Sequence, residues 1–518
     1  MNLYKGFPFI KIIEKIKNFD ISRYAELIVL LSLGVSLIIV ALYNYYLQPW
    51  TLDDAYIAFR YAENFSEGKG IVYNEGEYVE GYTCFLWVVL LAGLHKIGFD
   101  LPITSKILGV LFTFITIFLM SRVHKIIKGT HWLVSVAGVL ILGSMGAFTS
   151  WTMSGMETNM TAFLIFLSVL LFGAFVSRNT VSLSGYFLVG VVIALAVMSR
   201  PDAGIILPIL VFCSLLHSLK ERQYLNPIFI ILGFSLLFVP YFIWRYNYYG
   251  WLLPNTFYVK VGSSKEQIKR GLTYAFYFLK GTSLIWAPFI MLQIFPLQTL
   301  GNRGYVVFSM SLAVMLNMLY VISVGGDCMP AHRFFTPITP LFVAVSAYSI
   351  FFPGVSYLRS LLLVLIIVCF NLWQLKNDPY LYERIVADVV AERGKEVGLW
   401  LRDNVPPDSL LATNTAGSVA YYSRLKTIDM LGLNDEHIAH REIKTLGKGF
   451  AGHEKGDGKY VLSRKPDYIM FGSATGNKEP RFVSDREMAV EAEFRENYVY
   501  KQYILPSGRA LHIYERKK

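Results

Sequence analysis

The chain has 518 residues, 54% of them hydrophobic and only 16% charged, with a mean hydropathy of +0.45. That charged share lies well below the roughly 25% of a soluble domain, and many apolar runs reach the ~17–25 residues that cross a bilayer, so a soluble globular protein is excluded. The formal charge of +11 does not argue for nucleic acid, because Lys and Arg accumulate on the cytoplasmic loops of any multispanning protein.

The N-terminal stretch carries Lys5, Lys11, Lys15, Lys17 and Arg23 and is expected in the cytoplasm. The first apolar run, 27–47, is too long for a signal peptide and lacks a small-residue cleavage site, so it reads as a retained helix. It delivers "TLDDAYIAFRYAENF" to the outer face. There Ile57, Tyr61 and Phe65 recur every fourth residue beside Ala58 and Ala62, which predicts a helix lying in the interface with Asp53 and Asp54 at its start. One acid can cap that helix; a cap needs only one, and the second is left for chemistry.

Residues 82–97, "YTCFLWVVLLAGLHKI", are read as a re-entrant or interfacial segment. Later runs fall near 103–121, 131–149, 159–177, 183–199, 204–218, 227–244, 281–299, 304–324, 336–352 and 357–375. With 82–97 not crossing, the basic links at Arg122/Lys125/Lys128, Arg178, Lys220/Arg222, Arg303 and Arg359 all fall inside. The expected fold class is thus a polytopic α-helical membrane protein of eleven spans, or twelve if 82–97 crosses. Residues 1–375 form the membrane unit, and 376–518 form a small extracytoplasmic α/β domain.

In that domain, 381–404 reads as an amphipathic helix stopped by Pro406 and Pro407. "SLLATN" (409–414), "KTIDM" (426–430) and "DYIMFG" (467–472) read as short strands, and 498–516 as a hairpin turning at Pro-Ser-Gly. No Gly-rich nucleotide motif follows any strand. The four cysteines are scattered without a CxxC pair, so neither a zinc site nor a disulfide framework is suggested.

The eleven-span reading gathers every unusual polar stretch on the outer face. Besides the acidic pair these are "EYVEGYT" (Glu80, Tyr82), "SGMETN" (Glu157), "SRPDAG" (Arg200, Asp202), "PNTFYVK" (Asn255, Lys260) and "GGDCMPAHRFF" (Asp327, His332, Arg333). A transporter would keep ionisable groups near mid-span, and the runs above carry essentially none. Nucleotide-activated donors are absent outside the cell, so an outward-facing transferase must take its donor from the lipid. Arg and Lys would neutralise a leaving polyprenyl phosphate, and a carboxylate would deprotonate the acceptor hydroxyl.

The run "TLDDAYIAFRYAENFSEGKGIVYNEGEYVEGYTCFLW" resembles the opening of the terminal arabinofuranosyltransferases of mycobacterial cell-wall synthesis and their Gram-negative pilin-arabinosylating relatives, members of the C-type (GT-C) membrane glycosyltransferases. "SGMET", "RPDAG", "LPNTFYVK", "GGDCMPAHRFFTPITP", "TNTAGSVAYYSRLKTIDMLGLNDEHIAHR" and "GHEKGDGKYVL" resemble that family in the same order. The resemblance implies a GT-C fold in the inner membrane with a periplasmic active site. It also implies a polyprenyl-phosphate sugar donor, of the decaprenyl-phosphoarabinofuranose kind, and a surface glycan, lipid or pilin-type protein as acceptor. Another lipid-linked sugar, such as a hexose or aminoarabinose, is the alternative.

The family's catalytic acids fall on Asp53 and Asp54, with Asp53 first. Lys260, His332 and Arg333 fall at the donor phosphate. Glu80, Tyr82, Glu157, Arg200, Asn255 and Asp327 fall around sugar and acceptor. No cofactor is implied. A divalent cation shared by the acidic pair and a donor phosphate stays open, although adjacent carboxylates on one helix point about 100° apart. The family often has an Asp where this chain has Asn414, which weakens a catalytic role at that position.

Overall fold

Helix α1 (Ala25–Leu47) carries a single charged residue, Glu26, in its first turn. Glu26 pairs with Arg122 and Lys125 at the far end of α4 (Leu101–Ile126), while at α1's other end Lys106 donates to the Gln48 carbonyl (2.7 Å). The two helices therefore run antiparallel. This computed structural model describes residues 21–262, 264–294, 297–378, 381, 384–443 and 446–517. Lys5, Lys11, Lys15 and Lys17, which argued for a cytoplasmic N-terminus, lie outside the described residues.

The basic links gather at the Glu26 end. Arg178, closing α6 (Thr158–Arg178), donates to the carbonyls of Lys125 and Ile126. Arg303 reaches the Gly129 carbonyl, and Lys220 meets Asn302. Tyr357, two residues before Arg359, stacks on His131 with 5.3 Å between ring centres. The acidic and aromatic stretches gather at the opposite end. Between α2 (Asp53–Ser66) and α4, the twelve-residue α3 (Phe85–Lys96) both begins and ends at that opposite end, so it does not cross the bundle.

Among the described residues seven helices are long and apolar enough to cross a membrane, or up to nine if each of two bent pairs counts as one span. One bent pair is α5 (Trp132–Ser144) with the turn 146–153, at 65°. The other has its bend at the start of the run expected over 281–299. Ser264 caps a helix α11 (Lys265–Gly281) that meets α12 (Ser283–Ile294) at 97°. Its Lys265, Glu266, Lys269, Arg270 and Lys280 are costly in hydrocarbon, so α11 turns aside instead of lengthening the span. Helices α7 (Leu183–Ser199) and α9 (Asn226–Tyr249), with α8 (Ile206–Glu221) between them in the chain, touch at Gly190 and Gly233, where a β-carbon would collide with the backbone at Ile230 and Phe187 respectively. Helix α13 (Arg303–Ser323) packs beside α14 (Thr339–Ile350), which is wholly buried, and α15 (Tyr357–Asn377) closes the bundle.

The C-terminal part is a five-stranded sheet of order β2-β1-β3-β5-β4. Strands β1 (Leu410–Thr413), β2 (Lys426–Asp429) and β3 (Tyr468–Met470) are parallel, with Leu411 opposite both Thr427 and Tyr468. The hairpin β4 (Tyr498–Ile504) and β5 (Ala510–Arg516) adds antiparallel through Tyr468 and Glu515. The expected helix over 381–404 is continuous only as α16 (Val390–Asn404); a short turn at Arg384–Val386 precedes it, and 382–383 lie outside the described residues. It stops at Val405, whose extended backbone (ψ 152°) is what the following proline demands.

Candidate active site

Asp53 and Asp54 open α2, and neither caps it: Leu52 is the extended residue before the helix, with no side-chain cap bond. Asp53 instead holds the start of a different helix, α17 (Ser418–Ser423), in the C-terminal part. Its carboxylate accepts the Gly417 amide (3.2 Å), the Ser418 amide (2.8 Å) and the Ser418 hydroxyl. A β-carbon on Gly417 would collide with the Asp53 carbonyl and carboxylate, so only glycine permits this approach. Burial pushes Asp53 up to about 6; the Ser418 and Gly417 bonds pull downward, and the neighbouring Asp54 charge adds to the rise.

Seven residues on, hence on the same helical face, Arg60 repeats the docking. Its buried guanidinium donates to the carbonyls of Tyr73 (2.7 Å), Ala420 (2.6 Å) and Leu425 (2.8 Å) and to Asn74 Oδ1 (3.0 Å). Tyr73 donates to the Ala416 carbonyl, and Asn74 exchanges hydrogen bonds with the Thr427 backbone. Sequence reasoning missed Arg60. The signal was its i, i+7 relation to Asp53 as the one charge within the stretch Ala55–Ala62.

Asp54 faces away from this latch, toward two cavities. The inner cavity, about 210 Å³, lies among the helices and loops of the membrane unit, with Leu433 and Ala451 of the C-terminal part at its wall; the domain cavity, about 310 Å³, lies between that unit and the sheet. Asp53 lines only the domain cavity, whereas Asp54, Lys260 and Cys328 line both. The Asp54 carboxylate is 3.9 Å from Arg333 Nη1. Lys260 ends the short helix α10 (Asn255–Lys260) and makes no hydrogen bond or ion pair among the described residues.

Arg333 is fixed by Asp327 through two bonds, Nε to Oδ2 (2.6 Å) and Nη2 to Oδ1 (3.1 Å). Burial alone would raise Asp327, but the charges of Arg333, Lys260 and Arg200 hold it below the usual carboxylate range. The turn carrying Arg333 is strained: Ala331 and His332 both take left-handed backbone, φ 50° and 53°. Arg200 forks onto Asp202 (3.0 and 2.8 Å) and reaches Glu157 Oε1 (3.3 Å). The other Glu157 oxygen, Oε2, is buried without a hydrogen-bond partner among the described residues, in a side chain that lines the inner cavity. Tyr82 lines that cavity too, its hydroxyl 3.0 Å from that of Tyr249.

Three expected site residues stand elsewhere. His332 lines neither cavity; it packs edge-on against Tyr274 and Phe278, and burial, aided by Arg384, lowers it to about 4, so it carries no charge for a phosphate at neutral pH. Glu80 is locked onto Arg245 by Oε1–Nε (2.9 Å) and Oε2–Nη2 (2.7 Å), outside both cavity walls. The Asn255 amide donates to the carbonyls of Gly432 (2.9 Å) and Leu433 (3.0 Å) and so docks the C-terminal part. The domain cavity adds Asn414, whose Nδ2 bonds Asp485 (2.8 Å) and whose buried Oδ1 has no hydrogen-bond partner among the described residues. As for a cation, Asp53 spends both oxygens on Gly417 and Ser418, and no group of three or more His, Cys, Asp or Glu side chains among the described residues is placed to hold a metal.

The family model described as "Domain of unknown function (DUF8728)" matches residues 382–514. The chain is 24% identical over 262 residues to a terminal beta-(1->2)-arabinofuranosyltransferase of Mycobacterium tuberculosis, covering 47% of this chain and 40% of that protein. It is 26% identical over 346 residues to the protein of the same name from Corynebacterium glutamicum, covering 58% and 48%. The chain thus spans less than half the length of either relative. Among solved structures it superposes on ArnT from Cupriavidus metallidurans bound to undecaprenyl phosphate with TM-score 0.52 at 13% identity, over 77% of this chain and 85% of that one. It superposes on the Archaeoglobus fulgidus oligosaccharyltransferase with TM-score 0.53 at 12% identity, over 95% and 74%. An antiparallel bundle with its polar loops at one end, capped there by a small sheet, is therefore the GT-C fold, and the chain is a sequence relative of the terminal arabinofuranosyltransferases.

Proposed function

We propose that the chain is a membrane glycosyltransferase that moves a sugar, arabinofuranose by its relatives' names, from a polyprenyl-phosphate donor to a hydroxyl of a surface glycan, lipid or protein. The observation that carries this reading is the position of Asp54 and Lys260 in the walls of both cavities. The donor sugar and phosphate occupy the inner cavity, and the acceptor enters through the domain cavity. Asp54 takes the proton of the acceptor hydroxyl, whose oxygen bonds to the anomeric carbon as the carbon–oxygen bond to phosphate breaks. Lys260 and Arg333 hold the charge that develops on the departing polyprenyl phosphate. Glu157 Oε2 accepts a sugar hydroxyl, which satisfies its orphaned oxygen.

Asp53 is a positioning residue in this scheme. It fixes the start of α2, and with it Asp54, against the C-terminal part. The basic links at the opposite end support an active site on the extracytoplasmic side of the inner membrane. A neighbour of the same fold carries undecaprenyl phosphate, which suits the lipid-phosphate donor. The test is transfer from decaprenyl-phosphoarabinofuranose to a synthetic arabinoside in purified protein. Asp54→Asn should insert normally and lose about 10²–10⁴ in rate, the usual weight of a general base. Asp53→Asn, which keeps an acceptor oxygen for Ser418, should retain most of it. Equal loss in both variants would remove Asp54 from its role.

A further inference from the structure

A cavity of about 570 Å³, separate from the two above, opens where the end of α1 and the start of α4 meet the segment leading into α16. Its walls include Trp50, Lys106, Asp388, Glu392, Lys395 and Tyr422. Its acids are already satisfied: Asp388 accepts from Trp50 Nε1 (3.1 Å) and the Val390 amide (3.4 Å), and Glu392 pairs with Arg509 (3.3 Å). Its lysines meet no carboxylate among the described residues. Lys106 donates only to the Gln48 carbonyl, and Lys395 lies over the Tyr422 ring, 5.3 Å from its centre. With Glu392 answered by Arg509, the two lysines face one carboxylate, Asp388, that has only neutral donors, which leaves the recess with a net positive charge.

An apolar stripe leads away from its mouth. On α4 Ile103, Ile107 and Leu111 follow one another at four-residue spacing, 62%, 59% and 47% exposed, and on α1 Leu42 and Tyr46 are exposed as well. Lys106 sits one position before Ile107, at the end of the bundle where the helices leave the bilayer. A cationic recess at headgroup depth above an exposed apolar stripe has the polarity of a phospholipid, with charge at one end and hydrocarbon at the other.

We propose that this cavity seats the phosphate headgroup of an anionic phospholipid, with Lys106 and Lys395 on the phosphate and the acyl chains along Ile103, Ile107 and Leu111. The assignment rests on the membrane-spanning fold and not on the transfer reaction. Asp388 lines both this cavity and the domain cavity, so a bound headgroup braces the wall they share.

The test is native mass spectrometry of the full-length protein in neutral detergent, offered phosphatidylglycerol, phosphatidylcholine or undecaprenyl phosphate. Wild type should retain phosphatidylglycerol at collision energies that strip phosphatidylcholine. The double variant Lys106→Gln/Lys395→Gln should lose that retention by roughly tenfold or more, and Lys106→Arg/Lys395→Arg should keep it. Three results overturn the proposal: equal retention by the Gln variant and wild type, equal retention of the two phospholipids by wild type, or lysine-dependent retention of undecaprenyl phosphate alone.

Discussion

Ser418 donates its backbone amide (2.8 Å) and its hydroxyl to the Asp53 carboxylate across 365 residues of chain. The start of α2 and the C-terminal part therefore share one cavity wall. Asp53→Ala leaves the Gly417 and Ser418 amides unmet where the two parts meet, at a cost of about 1–3 kcal/mol for each buried donor that water cannot reach. The C-terminal part should become cleavable by added protease in detergent-solubilised protein, while the membrane bundle keeps its helicity by circular dichroism. Gly417→Ala should reproduce this from the other side of the contact, because its β-carbon displaces the Asp53 backbone.

The same carboxylate predicts a pH signature. Asp53 is raised from 3.8 to about 6, chiefly by burial, so the folded protein binds its proton more tightly than the unfolded chain does. The stability this contributes is fully present below about pH 4 and is lost as pH rises through 6; its scale is about 3 kcal/mol. Asp53→Asn has no such proton to lose. The melting temperature of wild type minus that of Asp53→Asn should therefore fall between pH 4 and 7. A difference that rises or stays flat over that range would falsify the buried, proton-retaining Asp53.

Arg60 is the second fastening. Its guanidinium satisfies carbonyls on both sides of the junction, at Tyr73, Ala420 and Leu425. Arg60→Ala should destabilise by about 3 kcal/mol or more, since several buried acceptors lose their donor at once. Arg60→Lys should not rescue it, because an ammonium cannot reproduce the planar fork. Loss of expressed, protease-resistant protein in both variants is the expected readout.

How far the sequence revealed this depends on the kind of signal. Hydropathy and basic links suffice for the bundle and for α3 staying at one end, because span length and loop charge are local properties of the chain. The parallel strands β1, β2 and β3 were visible as short apolar runs between breakers. The run over 281–299 begins within two residues of α12, but the helix α11 before it was not visible, because its charges keep 265–280 out of any apolar run. The motif residues Asp54, Glu157, Arg200, Lys260, Asp327 and Arg333 do converge, yet proximity in a motif does not say which side chain faces the cavity. His332 and Arg333 are adjacent and only Arg333 lines it. Glu80 and Asn255 looked like sugar ligands because nothing in the sequence announces their partners, Arg245 and the Gly432–Leu433 backbone. Asp53 and Asp54 divide in the same way, one toward Ser418 and one toward Arg333.

In the proposed reaction, Glu157 and Lys260 separate donor recognition from chemistry. Glu157 keeps one oxygen on Arg200 and leaves Oε2 unmet in the cavity wall. Glu157→Gln removes the charge opposite Arg200 and replaces one acceptor with a donor, so a sugar hydroxyl loses its partner; kcat/KM for the donor should drop by roughly 10–10²-fold. Lys260 has no structural hydrogen bond or ion pair among the described residues to lose. Lys260→Gln should therefore leave the melting temperature unchanged while transfer slows, because only the phosphate's charge goes unanswered. Measured with donors of one sugar and different lipid tails, the Lys260 effect should be the same for each tail. The Glu157 effect should instead change with the sugar, being smallest for one lacking the hydroxyl that Oε2 accepts.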